Sequence, residues 1–174
     1  SANVSETNTV CDSYTWNGVT YTTSGTYTWV QQKLVQIGQD LDGENSGDRY
    51  GHSISSSSDG NIIAVGGHRN DGNGSNSGHV RVFENLSGSW SQIGQDIDAE
   101  NTDDFSGWSV SLSSNGKILA IGSPNNDGNG ANSGHVRVFE FDGANWNQLG
   151  QDIDGDQSDD RFGESVSLSS DGYT

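Results

Sequence analysis

Gln36-Ile37-Gly38-Gln39-Asp40 returns as Gln92-Ile93-Gly94-Gln95-Asp96, and again as Gln148-Leu149-Gly150-Gln151-Asp152. Each copy begins 56 residues after the one before, with no insertion in either interval. Other landmarks keep the register. Asn70-Asp71-Gly72-Asn73-Gly74 matches Asn126-Asp127-Gly128-Asn129-Gly130, Ser77 through Glu84 matches Ser133 through Glu140 without a change, and Trp90 matches Trp146. Chance does not produce this, so the chain is a tandem repeat.

Each repeat reads as four strands. The first covers residues 52–57, 108–113 and 164–169. Asp59-Gly60, Asn115-Gly116 and Asp171-Gly172 follow it, the pairs favoured in two-residue hairpins because both positions take positive φ. The second strand, 62–66 and 117–122, is continuously apolar, the mark of burial on both faces. A long polar loop leads to the third, 79–84 and 135–141. A short Gly-containing turn leads to the fourth, 90–95 and 146–151. Four short strands repeated head to tail define an all-β chain of β-propeller blades, each of four antiparallel strands. No segment shows sustained helical spacing, and a β-solenoid would have shorter rungs.

The repeats occupy residues 31–174, with fourth-strand segments starting near 36, 92 and 148. Residues 1–30 are a Thr- and aromatic-rich segment. Tyr14-Thr15-Trp16-Asn17-Gly18-Val19-Thr20-Tyr21 and Gly25-Thr26-Tyr27-Thr28-Trp29-Val30 are expected to pair as a hairpin. With residues 33–40 as a further strand, 14–40 fits an incomplete blade lacking its first strand. The blades then number three, whereas closed propellers carry about four to eight. Two explanations stand: a fragment of a longer propeller, favoured by the stop inside a repeat at Asp171-Gly172-Tyr173-Thr174, or assembly of several copies through unpaired strand edges.

Composition narrows the function. Asp and Glu total 24 against 7 Lys and Arg, a net charge of −17. Such a surface repels a phosphate backbone and anionic lipid, so nucleic acid is not an expected partner; divalent cations and basic surfaces are. No stretch is apolar enough to insert in a membrane. The single cysteine, Cys11, is a free thiol or pairs with a partner outside this chain.

Ala120-Ile121-Gly122-Ser123-Pro124 and its copy Ala64-Val65-Gly66-Gly67-His68 resemble the second half of the FG-GAP repeat of integrin α-subunits. Arg161-Phe162-Gly163-Glu164, Tyr50-Gly51-His52 and Ser106-Gly107-Trp108 resemble its first half. Gly78-His79-Val80-Arg81-Val82-Phe83 resembles the strand that follows. This resemblance covers residues 36–174. It implies a β-propeller on an extracellular, secreted or cell-surface protein engaged in adhesion, with calcium on some blades. The family's calcium loop lies between the first and second strands, where this chain has only Ser-Ser-Asp-Gly or Ser-Ser-Asn-Gly, so its ligands do not carry over. Residues 11–30 also resemble Thr-rich modules of secreted Bacteroidetes proteins.

Calcium therefore has two other candidate places. One is the acidic loop before each first strand: Asp40, Asp42, Glu44 and Asp48; then Asp96, Asp98, Glu100 and Asp104; then Asp152, Asp154, Asp156 and Asp160. Alternating carboxylates around a turn gather hard oxygen ligands. The other is Asp71 with Asn73, and Asp127 with Asn129. Both loops also read as solvated Asx and Gly turns.

His79 and His135 recur in register, which points to packing or a hydrogen bond, because a catalytic residue occurs once per active site. Trp90 and Trp146 recur as well and are expected to pack between blades or cover an edge; a sugar-stacking platform is the alternative. Trp108, Trp16 and Trp29 are less regular and better suited to ligand contact. No phosphate-binding loop or nucleophile elbow is found, so no enzyme is expected. The function expected is an extracellular binding and adhesion module presenting its loops to a protein or glycan. The alternatives are a self-assembling structural repeat and the non-catalytic propeller of a larger secreted enzyme.

Overall fold

The computed structural model describes residues 2–10, 14–16, 19–23, 25–33 and 35–173. They contain strands and no helix, arranged in two compact units, Ser1–Ile37 and Gly38–Thr174.

In the first unit β1 (Ala2–Val10) pairs antiparallel with β4 (Gly25–Lys33), from Ala2 opposite Lys33 to Val10 opposite Gly25. Between them in sequence, β2 (Tyr14–Trp16) pairs with β3 (Val19–Tyr21). Thr15 and Thr20 share a hydroxyl–hydroxyl hydrogen bond of 2.9 Å across that ladder. The expected hairpin is thus drawn differently: Tyr14–Trp16 pairs with Val19–Tyr21, and Gly25–Lys33 pairs with the N-terminal strand. The strand expected at 33–40 is absent among residues 35–40. Cys11 lies outside the described residues.

The second unit holds two sheets of the same design. In repeat one, β5 (Tyr50–Ser56), β6 (Ile62–Gly67), β7 (His79–Asn85) and β8 (Trp90–Gln92) lie in sequence order, and β9 (Ile97–Asp98) pairs with the start of β7. In repeat two, β10 (Ser109–Leu112), β11 (Ile118–Ser123), β12 (His135–Phe141) and β13 (Trp146–Gln148) do the same, with β14 (Ile153–Asp154) on the start of β12. These are four-stranded antiparallel blades. The second strand is buried along all of β11 and over Ala64–Gly67 of β6, as its unbroken apolar run requires.

Three details differ from the sequence expectation. The fourth strand is two short pieces, because Gly94 takes φ +74° and turns the chain out of the ladder before β9 rejoins it. The turn after β5 is wider than two residues. Ser57 N–H donates to Ile62 O at 2.8 Å, only Gly60 of the Asp-Gly pair has positive φ, and the Asp59 carboxylate accepts from Ser57 Oγ and Asn61 N–H. Residues 164–169 form no strand, since a strand needs a ladder partner and none is described after the Asp171-Gly172 turn.

The blades stack through their first strands. Leu112 N–H donates to Ser55 Oγ (2.9 Å), Ser58 N–H to Ser114 O (2.9 Å) and Ser53 Oγ to Gly107 O (2.7 Å). The contacts recur one repeat later, from Leu168 N–H to Ser111 Oγ, Ser114 N–H to Ser170 O and Ser109 Oγ to Gly163 O. Ala64, Val80, Val82 and Ile97 of blade one and Val110, Leu112, Leu119, Ile121, Phe139 and Trp146 of blade two make one buried cluster.

Candidate functional site

The antiparallel ladders place Tyr50 beside Gly67, Gly67 beside His79 and His79 beside Asp98. The start of β5, the end of β6 and the start of β7 therefore share one end of the blade. The acidic loop before β5 and the Asn-Asp-Gly-Asn-Gly loop after β6 emerge there together. The second blade repeats the arrangement.

At that end, β7 opens with His79, whose side chain is 1% exposed. Neither ring nitrogen has a hydrogen-bond partner. Nδ1 faces Asp96 Oδ2 at 3.7 Å. Glu44, from the acidic loop, completes a group whose ligand atoms all lie within 4.8 Å of one another. The second blade repeats it with Glu100, His135 and Asp152, with Nδ1 to Asp152 Oδ2 at 3.5 Å and His135 also 1% exposed. Burial, then the neighbouring Arg81 or Arg137, holds each imidazole below its ordinary pKa, against the pull of the carboxylates.

Arg81 braces the first group. Its Nη2 donates to Asp42 O (2.8 Å), its Nη1 lies 3.8 Å from Glu44 Oε1, and its guanidinium sits 4.5 Å from the Tyr50 ring centroid. Arg137 repeats the first two contacts, on Asp98 O (2.6 Å) and Glu100 Oε1 (4.0 Å), and lies over Phe139. Burial raises the Tyr50 hydroxyl to about 12, and the Asp98 carboxyl is also raised, chiefly by burial.

The other loop residues proposed from sequence have structural employment. Asp48 and Asp104 are buried and accept from Asn45 and Asn101 N–H and from the amides of Asn70 and Asn126. Asp160 accepts from Gln157 N–H. Asp71 and Asp127 each accept from a backbone N–H five residues on, at Asn76 and Asn132. Asn73 donates to Ala99 O and Glu100 O, and Asn129 to Gly155 O, so these amides tie one repeat's loop to the next. Asp40, Asp42, Asp154 and Asp156 are exposed carboxylates on the same loops, and the structure brings none of them into the histidine groups.

Trp108 sits in a ring cluster between the blades, with centroids 4.9 Å from both His52 and His68 and a stacked contact on Phe105 at 6.3 Å. His68 is 3% exposed, and its pKa falls to about 4 through burial and then the charges of His52, Arg69 and Arg49. The side chains of Trp16 and Trp29 lie outside the described residues.

In the sequence His79 and His135 read as packing or hydrogen-bonding residues, separate from the acidic loops. Their burial agrees with packing; the hydrogen bond expected as an alternative is not there. The signal was available as a joint repeat: Glu44, His79 and Asp96 recur together as Glu100, His135 and Asp152.

A family model described as the FG-GAP repeat matches residues 37–83 and 96–139, more than half of the chain. No curated protein matches it.

Proposed function

Because this chain belongs to the FG-GAP repeat family, we propose that it is a non-catalytic binding module of an extracellular protein, serving adhesion through a protein or glycan partner. The observation that supports this reading is the convergence of both kinds of acidic loop on one end of the blades. That end concentrates carboxylates on a rigid scaffold, which suits a basic patch on a protein or the hydroxyls and amines of a glycan. Calcium on the loop carboxylates is the proposed aid to binding.

The test is capture of the immobilised chain's partners on a glycan array and on a panel of matrix proteins, at about 0.05 and 0.5 M salt. Repeated capture that weakens with salt supports the reading. An absence of any capture, or capture indifferent to salt, argues against the acidic face. A melt with millimolar calcium and then with chelator separately tests the ion, since a ligand of the folded state raises Tm.

A second reading, self-assembly, has its own observation. Ile97 of blade one is 3% exposed beneath blade two, while its counterpart Ile153 is 50% exposed. Ile153, Leu149 and Phe162 line an apolar groove on blade two together with Val136 and Val138. A second copy seated there would repeat the contact already made between the blades. Light scattering that finds only monomer over a wide concentration range would remove this reading.

A further inference from the structure

We propose that each blade carries a binding site for a first-row divalent metal ion of the zinc class, formed by His79, Asp96 and Glu44 in the first blade and by His135, Asp152 and Glu100 in the second.

A buried polar group without a hydrogen bond costs about 1–3 kcal/mol, and native structures keep few of them. Here the Nδ1 of both histidines, each turned toward a carboxylate, lacks a hydrogen bond at two equivalent places in one chain. The same cost accepted twice in the same pose needs an occupant that a protein-only hydrogen-bond network does not supply.

Geometry selects which nitrogen serves. A Cβ built on Gly67 would lie 3.2 Å from both Cδ2 and Nε2 of His79, so that edge of the ring rests against the β6 backbone. Nδ1 is the edge turned toward Asp96. Ligand atoms about 2.0–2.2 Å from a tetrahedral zinc lie roughly 3.3–3.6 Å apart. The His–Asp separations of 3.7 and 3.5 Å need almost no change, and the remaining atoms within 4.8 Å need a small inward shift of Glu44 or Glu100.

The donor set chooses the ion class. One imidazole nitrogen with two carboxylates suits a borderline ion, whereas calcium takes six to eight oxygens. The three side chains leave room for water in the coordination sphere. Asp96 and Asp152 are 31% and 26% exposed, which gives the ion a route from solvent.

Neighbouring groups fix the ligands in place. Gln92 Nε2 donates to Asp96 Oδ1 at 2.6 Å, which leaves Oδ2 for the metal; Gln148 does the same for Asp152. Asn70 Nδ2 donates to Glu44 Oε2 at 3.2 Å. Arg81 and Arg137 stand near Glu44 and Glu100, so each glutamate is shared between a guanidinium and the ion. His79–Asp96 and His135–Asp152 are therefore the principal pairs.

The two metal sites occupy part of the acidic end and do not depend on any partner being found. The experiment uses the whole chain, stripped of metal with chelator and dialysed free of it. Zn²⁺ is titrated by calorimetry, and Co²⁺ by its visible absorption. The expected result is two equivalents per chain, with a nitrogen donor seen by X-ray absorption and no displacement by millimolar Ca²⁺. H79Q should leave one equivalent, and H79Q/H135Q none. D96N and D152N, at the mouth of each site, keep the side-chain shape should a histidine variant fail to fold. Each should weaken its own site at least tenfold and leave the other untouched. Absence of binding at about 100 µM metal, unchanged stoichiometry in all four variants, or full displacement by calcium would overturn the proposal. Failure of the partner arrays alongside two intact metal sites would count only against the adhesion reading.

Discussion

Trp146→Ala should weaken the fold more than its repeat-equivalent Trp90→Ala, because the same residue type does more in the second blade. The Trp146 ring is 2% exposed, its Nε1 donates to Ile93 O at 3.0 Å, and it packs on Phe141 with centroids 5.1 Å apart. Its edge also lies over Gly94, where an added Cβ would come within 2.6 Å of Cδ1. A buried aromatic of this size removes about 200 Å² from water, which at about 25 cal/mol/Å² is about 5 kcal/mol. Partial collapse of the cavity lowers that, and loss of the indole bond adds about 1 kcal/mol, for an expected cost of about 4 kcal/mol. Trp90 is only half-buried, so the same reasoning gives about 2 kcal/mol for Trp90→Ala. Urea unfolding followed by circular dichroism measures both without relying on the fluorophore removed. With a slope of about 2 kcal/mol/M, the midpoint moves by about 2 M for Trp146→Ala and about 1 M for Trp90→Ala. A cost below about 1 kcal/mol for Trp146→Ala, or equal costs for the two, would refute the view that this tryptophan fastens blade two to blade one.

Two further predictions concern the blade interface. Gly122→Ala should cost about 2 kcal/mol or more, since a Cβ there collides with the Gly163 carbonyl and Ser109 Oγ, whereas Gly88→Ala meets nothing within 4 Å and should cost only the strain of its positive φ, about 1 kcal/mol; equal Tm values for the two variants would contradict this. His68 should resist protonation: its folded pKa of about 4 lies below the ordinary 6.5, so the neutral ring's contribution is complete above about pH 6.5 and is lost as pH falls toward 4, to a total of about 3 kcal/mol. Proton NMR of the His68 ring checks it directly, and a midpoint near 6.5 would show that the ring is not buried among His52, Phe105 and Trp108.

What the sequence disclosed, and what it hid, follows from how far apart the interacting residues lie. The period, the strand positions and the buried second strand are local patterns, readable from one stretch at a time. The split fourth strand was hidden because its cause sits in the next repeat. Gln95 reaches across to accept from Trp146 N–H (3.0 Å) and donate to Trp146 O (2.7 Å), and Gln39 does the same for Trp90. The Gln-Ile-Gly-Gln-Asp motif is thus not a plain strand. It is a clasp in which Gly94 leaves room for the next tryptophan, Gln95 holds that residue's backbone, and Gln92 orients Asp96. The candidate metal group was hidden for the same reason, since Glu44, His79 and Asp96 come from three elements and meet only when the blade closes.

Repetition alone therefore does not sort structural residues from functional ones. Ser53 and Ser109 repeat because every blade must be joined to the next, and their hydroxyls are satisfied by the Gly107 and Gly163 carbonyls. His79 and His135 repeat just as faithfully, yet their nitrogens are left without hydrogen bonds. A repeated residue that is satisfied is explained by assembly of the blades. A buried nitrogen that faces a carboxylate in both blades without a hydrogen bond to it is not, because replacing it with carbon would remove a cost without losing a hydrogen bond. That difference is what directs the first experiment to the two imidazoles.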